Sequence, residues 1–202
     1  MRMNTHTWWY VSRASGIVLW VLVVAAVGWG FAVSARLVRR RGLPAWMQDL
    51  HKHLGTLTVV FTVVHLAALW ADSYSTFGWA EFLVPMASKW RPGAVAWGVV
   101  AMYLLAIVQG TSWAMRRLPR KVWHATHLLS LPMLVLGTLH GVLAGTDAKG
   151  SRVVVLLGAA GMIVVTMASL RMTRPTTRRA APTASTEDRL AAIRARASRV
   201  PG

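Results

Sequence analysis

The stretch Asp49–Asp72, DLHKHLGTLTVVFTVVHLAALWAD, decides the fold of this chain. Beyond Lys52 it runs uncharged to Ala71, and at about 1.5 Å per residue it is long enough to cross a hydrocarbon core of about 30 Å. Within it stand His51 and His65, and an imidazole in hydrocarbon is costly and usually functional. At about 100° per residue, the fourteen steps between them return to within about 40° of the starting azimuth and rise about 21 Å. The two rings therefore share a face, one near each membrane surface. His53 is turned about 200° from His51 and adjoins Lys52, which reads as an interfacial side chain.

A second stretch, Lys121–Asp147 (KVWHATHLLSLPMLVLGTLHGVLAGTD), carries the matching pair His127 and His140. In an ideal helix thirteen residues leave their rings about 140° apart. Pro132 lies between them, removes a backbone donor and kinks the helix, so a local distortion is expected to turn both rings toward the bundle axis. His124 is expected at the interface. The two stretches run in the same direction, which sets His51 level with His127 and His65 level with His140. Two bis-histidine sites, one per leaflet, suit two non-covalent b-type haems; interhelical hydrogen bonding, a non-haem metal and a proton pathway are the alternatives. Gly55, Gly137 and Gly141 lie within a turn of these histidines and leave room for a flat macrocycle or for close helix packing. The chain has no cysteine, which excludes disulfides, iron–sulfur clusters, thiolate-ligated haem and covalently attached haem.

Working outward, 55% of the residues are hydrophobic and 14% charged, the composition of a polytopic membrane protein. Apolar stretches at roughly 14–34, 50–71, 94–115, 122–145 and 153–170 predict an all-α bundle of five transmembrane helices, a multi-pass protein of the cell membrane. Arg36 and Arg39 to Arg41, then Arg116, Arg117, Arg120 and Lys121, then the arginines after residue 170 all fall on one side if the spans alternate. The positive-inside rule makes that side cytoplasmic and the amino terminus external. This topology accounts for the net charge of +17 and leaves no reason to expect a nucleic-acid partner. The first apolar stretch has its basic cluster behind it, so it is expected to remain as a span rather than be cleaved as a signal peptide.

The chain thus divides into an extracytoplasmic segment 1–13, a membrane domain 14–170 and a basic cytoplasmic tail 171–202, the tail expected to be held near anionic lipid. A short helix is possible over Ser185–Arg199. Aromatic residues at Trp8, Trp9 and Tyr10, and from Tyr74 to Trp90, read as a headgroup belt.

Ser12-Arg13-Ala14-Ser15-Gly16, the span from His51 to His65, and Trp123 to His140-Gly141 together resemble the ferric reductase-like transmembrane domain family, over about residues 10–170. That family comprises the haem-binding membrane domains of ferric reductases, NADPH oxidases and the bacterial haem subunit of periplasmic methionine sulfoxide reductase. The resemblance implies electron transfer across the membrane through two haems, with His51 and His127 on the inner iron and His65 and His140 on the outer. It also implies that Arg13 lies near the outer haem. Family members often continue into flavin- and nicotinamide-binding domains, whereas only the short tail follows residue 170 here. A separate flavoprotein or quinol donor, and an extracytoplasmic acceptor, are therefore expected. Leu69 stands where some oxidases carry a further histidine, which argues against dedicated oxygen reduction. A histidine-based proton or metal-ion transporter, or an anchor for a partner redox complex, are the competing functions; against the transporter, no intramembrane acid is present to couple the cycle.

Overall fold

The computed structural model describes residues 7–34, 45–73 and 77–145, together with Gly158, Gly161 and Ala191. Within them the chain forms α1 (Thr7–Ser34), α2 (Ala45–Ala71), the short α3 (Trp79–Leu83), α4 (Pro92–Trp113), α5 (Arg120–His127) and α6 (Ser130–Ala144). Four helical stretches are long and apolar enough to cross a membrane: Thr7–Phe31, Ala45–Ala71, Pro92–Trp113 and Arg120–Ala144, the last being α5 and α6 in succession. The protein is a multi-pass membrane protein. The fifth expected span, the cluster at 36–41, the tail and its expected helix lie outside the described residues, apart from Gly158, Gly161 and Ala191.

Helices are what apolar sequence must form in lipid, because every backbone donor and acceptor has to be satisfied within the segment. The hydroxyls these helices carry obey the same demand. Thr58, Thr62 and Thr138 each donate to the carbonyl four residues earlier, at 2.9, 2.8 and 2.7 Å.

α1 packs along α2 and also meets α6, while α4 packs along α6 and also meets α2. The four long helices therefore form a closed ring in which α2 and α6 stand at opposite corners. Thr58, Ala68, Val99 and Leu134 are buried inside, whereas Ile17, Val63, Ile107 and Leu139 face outward, where lipid would cover them. Lipid is as apolar as leucine, so cohesion here rests on packing and interhelical hydrogen bonds. Trp20 Nε1 donates to Thr138 Oγ1 at 2.9 Å, tying α1 to α6, and Trp29 Nε1 donates to the Met47 carbonyl at 2.8 Å, tying α1 to α2. Tyr103 donates to the Leu83 carbonyl, holding α3 on α4. Arg91, with a left-handed φ of 43° just before Pro92, donates to the Leu143 carbonyl at the end of α6 (2.6 Å).

The expected distortion at Pro132 is present, one turn upstream of the ring itself. Proline offers no N–H to the Leu128 carbonyl, which accepts instead from Leu131 at 3.1 Å, and Leu129 N–H likewise shortens its bond to Thr126 (3.1 Å). Regular α-helix resumes with Met133 donating to Leu129 at 3.0 Å. The break between α5 and α6 is the means by which residues thirteen apart come to face the same opposite helix.

Candidate haem-binding sites

All four histidines singled out by spacing point across the diagonal of the ring. The His51 and His127 rings have centroids 5.8 Å apart at an interplanar angle of 69°, and those of His65 and His140 are 6.5 Å apart at 84°. Each α2 histidine meets one α6-side histidine at its own depth, the pairing read from the two stretches. His53 and His124 are exposed and stand outside both pairs.

The ring nitrogens show which atom each histidine offers to a ligand. His65 Nδ1 lies 2.8 Å from the Ser12 carbonyl and His140 Nδ1 lies 2.8 Å from the Ala94 carbonyl. A carbonyl only accepts, so both rings carry their proton on Nδ1 and keep a lone pair on Nε2. A buried imidazole held by Nδ1–H to a carbonyl is the usual posture of a metal-ligating histidine.

Behind the rings stand glycines that spacing of the histidines alone did not reveal. A Cβ on Gly16 would lie 3.2 Å from the His65 ring, one on Gly30 would lie 3.2 Å from His51, and one on Gly98 only 2.7 Å from His140. Gly16 and Gly30 are fourteen residues apart, the interval of His51 and His65 on the antiparallel neighbour. The matching interval was the available signal. Each acceptor carbonyl, Ser12 and Ala94, lies four residues before such a glycine, so one helical turn supplies both the space and the hydrogen bond.

The first pair is furnished differently. His127 stacks on Trp123, with centroids 5.1 Å apart and planes within 24°, and its Nδ1 lies 3.3 Å from the Ser112 hydroxyl. His51 Nδ1 is buried with no hydrogen-bond partner among the described residues. Trp123 Nε1 is likewise a buried donor with no partner among the described residues.

Gly55 follows the packing alternative, since a Cβ there would lie 2.8 Å from Gln109 Oε1. The space beside it is taken by that amide, which reaches over from α4. At Gly137 and Gly141 no neighbouring atom of the described residues comes within 4 Å of where a Cβ would stand. Arg13 is half-buried beside Ser12, at the His65 end, and its guanidinium lies 4.2 Å from the centre of the Trp9 ring.

These features fit haem. Two imidazoles ligating one metal ion from opposite sides, with metal–nitrogen bonds of about 2 Å, hold their centroids about 6 Å apart. Both pairs match that separation. No group of three or more histidine, cysteine or acidic side chains converges among the described residues; a porphyrin would supply the remaining ligands of an iron held by one histidine pair.

No curated protein and no solved structure matches the chain. The family described as ferric reductase like transmembrane component matches residues 14–138, which takes in α1 from Ala14 onward, α2, α4 and three of the four paired histidines. On that match, covering well over half of its length, the protein belongs to the ferric reductase-like transmembrane family.

Proposed function

We propose that the protein carries electrons across the membrane through two b-type haems, as the membrane haem subunit of an oxidoreductase with a separate electron donor. The observation that carries this reading is the double pairing across the ring, His51 with His127 and His65 with His140, at centroid separations that would let each pair hold one iron. Haem supplies a one-electron ferric/ferrous couple that needs no proton or atom transfer at the metal.

The chain's own residues do the rest. Nε2 of each histidine would hold the haem iron. The Ser12 and Ala94 carbonyls fix the tautomer and orientation of His65 and His140. Ala94, Val95, Val99 and Leu134 exclude water from the space between the helices. With no cysteine available, the groups are held by ligation and packing alone.

Orientation follows from charge. Arg116, Arg117, Arg120 and Lys121 are exposed around the turn from α4 to α5, at the end that holds His51 and His127. The positive-inside rule assigns that end to the cytoplasm, which makes His65 and His140 the outer pair. Electrons from a cytoplasmic flavoprotein or a quinol would enter at the inner pair and leave from the outer pair to an extracytoplasmic acceptor. Arg13, at the outer end, is placed to balance a propionate.

Purification from haem-replete cells tests the proposal. About two haems per chain are expected, low-spin by absorption and fully removed by acid acetone. A colourless protein overturns the reading.

A further inference from the structure

Three of the four paired histidines are backed by glycine, and the fourth is not. Gly16 and Gly30 stand behind His65 and His51, and Gly98 stands behind His140. Fourteen residues beyond Gly98 on α4, at the depth of the first pair, the place of a glycine is taken by Ser112. Its hydroxyl lies between the helix backbone and the ring, 2.6 Å from the Val108 carbonyl and 3.3 Å from His127 Nδ1.

The direction of these bonds is fixed by what each atom can do. The Val108 carbonyl only accepts, so the single hydroxyl proton of Ser112 goes to it. The Ser112 oxygen then presents a lone pair to His127, which must carry its proton on Nδ1 and keep Nε2 free. Ser112 thus relays the carbonyl four residues before it, the same acceptor position that Ser12 and Ala94 occupy directly for His65 and His140. The relayed acceptor is the weaker one. A hydroxyl accepts less strongly than a carbonyl, and the contact is 3.3 Å rather than 2.8 Å. Beside this contact, the Thr111 hydroxyl of α4 and the Thr126 hydroxyl of α5, one residue before His127, lie 3.1 Å apart.

We propose that Ser112 is a positioning residue for His127, fixing its tautomer and making it a less basic ligand than His65 or His140, so that the two haem sites differ in potential by construction. The proposal rests on the haem reading above. A stronger acceptor on Nδ1–H raises the basicity of a ligating imidazole and favours the oxidised metal. Weakening or removing that acceptor favours the reduced one.

The test compares Ser112→Ala with Ser112→Thr in the purified full-length protein, reading haem content and the midpoint potential of each haem. The first-pair haem is identified as the component lost in His51→Ala. Wild type is measured first: absence of haem there defeats the earlier reading and this one together. With two haems present, Ser112→Ala is expected to raise the first-pair midpoint. A roughly threefold shift in the reduced-to-oxidised ratio at fixed potential, the scale of one weak hydrogen bond, is about 28 mV on the one-electron slope. The threonine variant, which keeps the hydroxyl, should hold the wild-type value. Should alanine instead release that haem while threonine retains it, the positioning role also stands. Alanine and threonine behaving alike, or a fall in the alanine midpoint, overturns the proposal while leaving the haem reading intact.

Discussion

The two ends of the helical ring solve one problem with different materials. At the His65/His140 end, each imidazole donates to a backbone carbonyl at 2.8 Å and rests against a glycine. At the His51/His127 end, one imidazole meets a hydroxyl at 3.3 Å and stacks on an indole, while Nδ1 of the other finds no hydrogen-bond partner among the described residues. Backbone acceptors cannot be mutated away and move little, so the second pair is the more rigidly specified. The first pair depends on side chains, and side chains can be tuned. The difference shows how a repeated helical interval can yield two sites of similar geometry and unlike electronic surroundings.

The largest effects should come from the ligands themselves. His65→Ala or His140→Ala is expected to remove the haem at their end, and His51→Ala or His127→Ala the haem at the other, each leaving about one haem per chain by pyridine haemochrome assay. His53→Ala and His124→Ala should leave both in place. A haem lost with His53 but kept without His51 would shift the ligand register.

Next in size is the steric support. In Gly98→Ala the new methyl would sit 2.7 Å from His140 Nδ1, with Cε1 and Cγ at 2.8 and 2.9 Å, so the ring must move. Overpacking of this kind costs about 1–3 kcal/mol, and haem at the second pair should be depleted. Gly30→Ala, whose methyl would lie 3.2 Å from the His51 ring, should be milder. Gly110→Ala, with no neighbouring atom of the described residues within 4 Å of the new methyl, serves as the control and should be neutral or slightly stabilising in thermal melts. Equal behaviour of all three variants would remove the glycines from the account.

The smallest effect concerns Arg13. If its charge balances the second-pair haem, Arg13→Ala should move that haem's midpoint by about 30 mV, roughly 0.7 kcal/mol for one electron, with both haems retained. Redox titration decides, and unaltered midpoints would leave Arg13 as a membrane-surface anchor stacked on Trp9.

Much of this was legible in the chain. The pairing and depth of the histidines follow from period and direction, and the break near Pro132 follows from a missing donor. Those are local rules. The supporting residues were harder, because a glycine within an apolar run reads equally as packing, and only a neighbouring helix reveals what it faces. Gly55 illustrates the limit: its absent side chain makes room for Gln109, fifty-four residues away, which no periodicity within α2 can signal. Ser112 looks like any intramembrane serine bonded to its own helix until His127 is placed against it.

The central claim, that each site takes one histidine from α2 and its level partner from the α5–α6 span, is tested most directly by paired replacement. His51→Ala with His127→Ala strips both ligands from one site and should leave one haem per chain. His51→Ala with His140→Ala strips one ligand from each and should leave none. One haem in the second variant and none in the first would contradict the pairing.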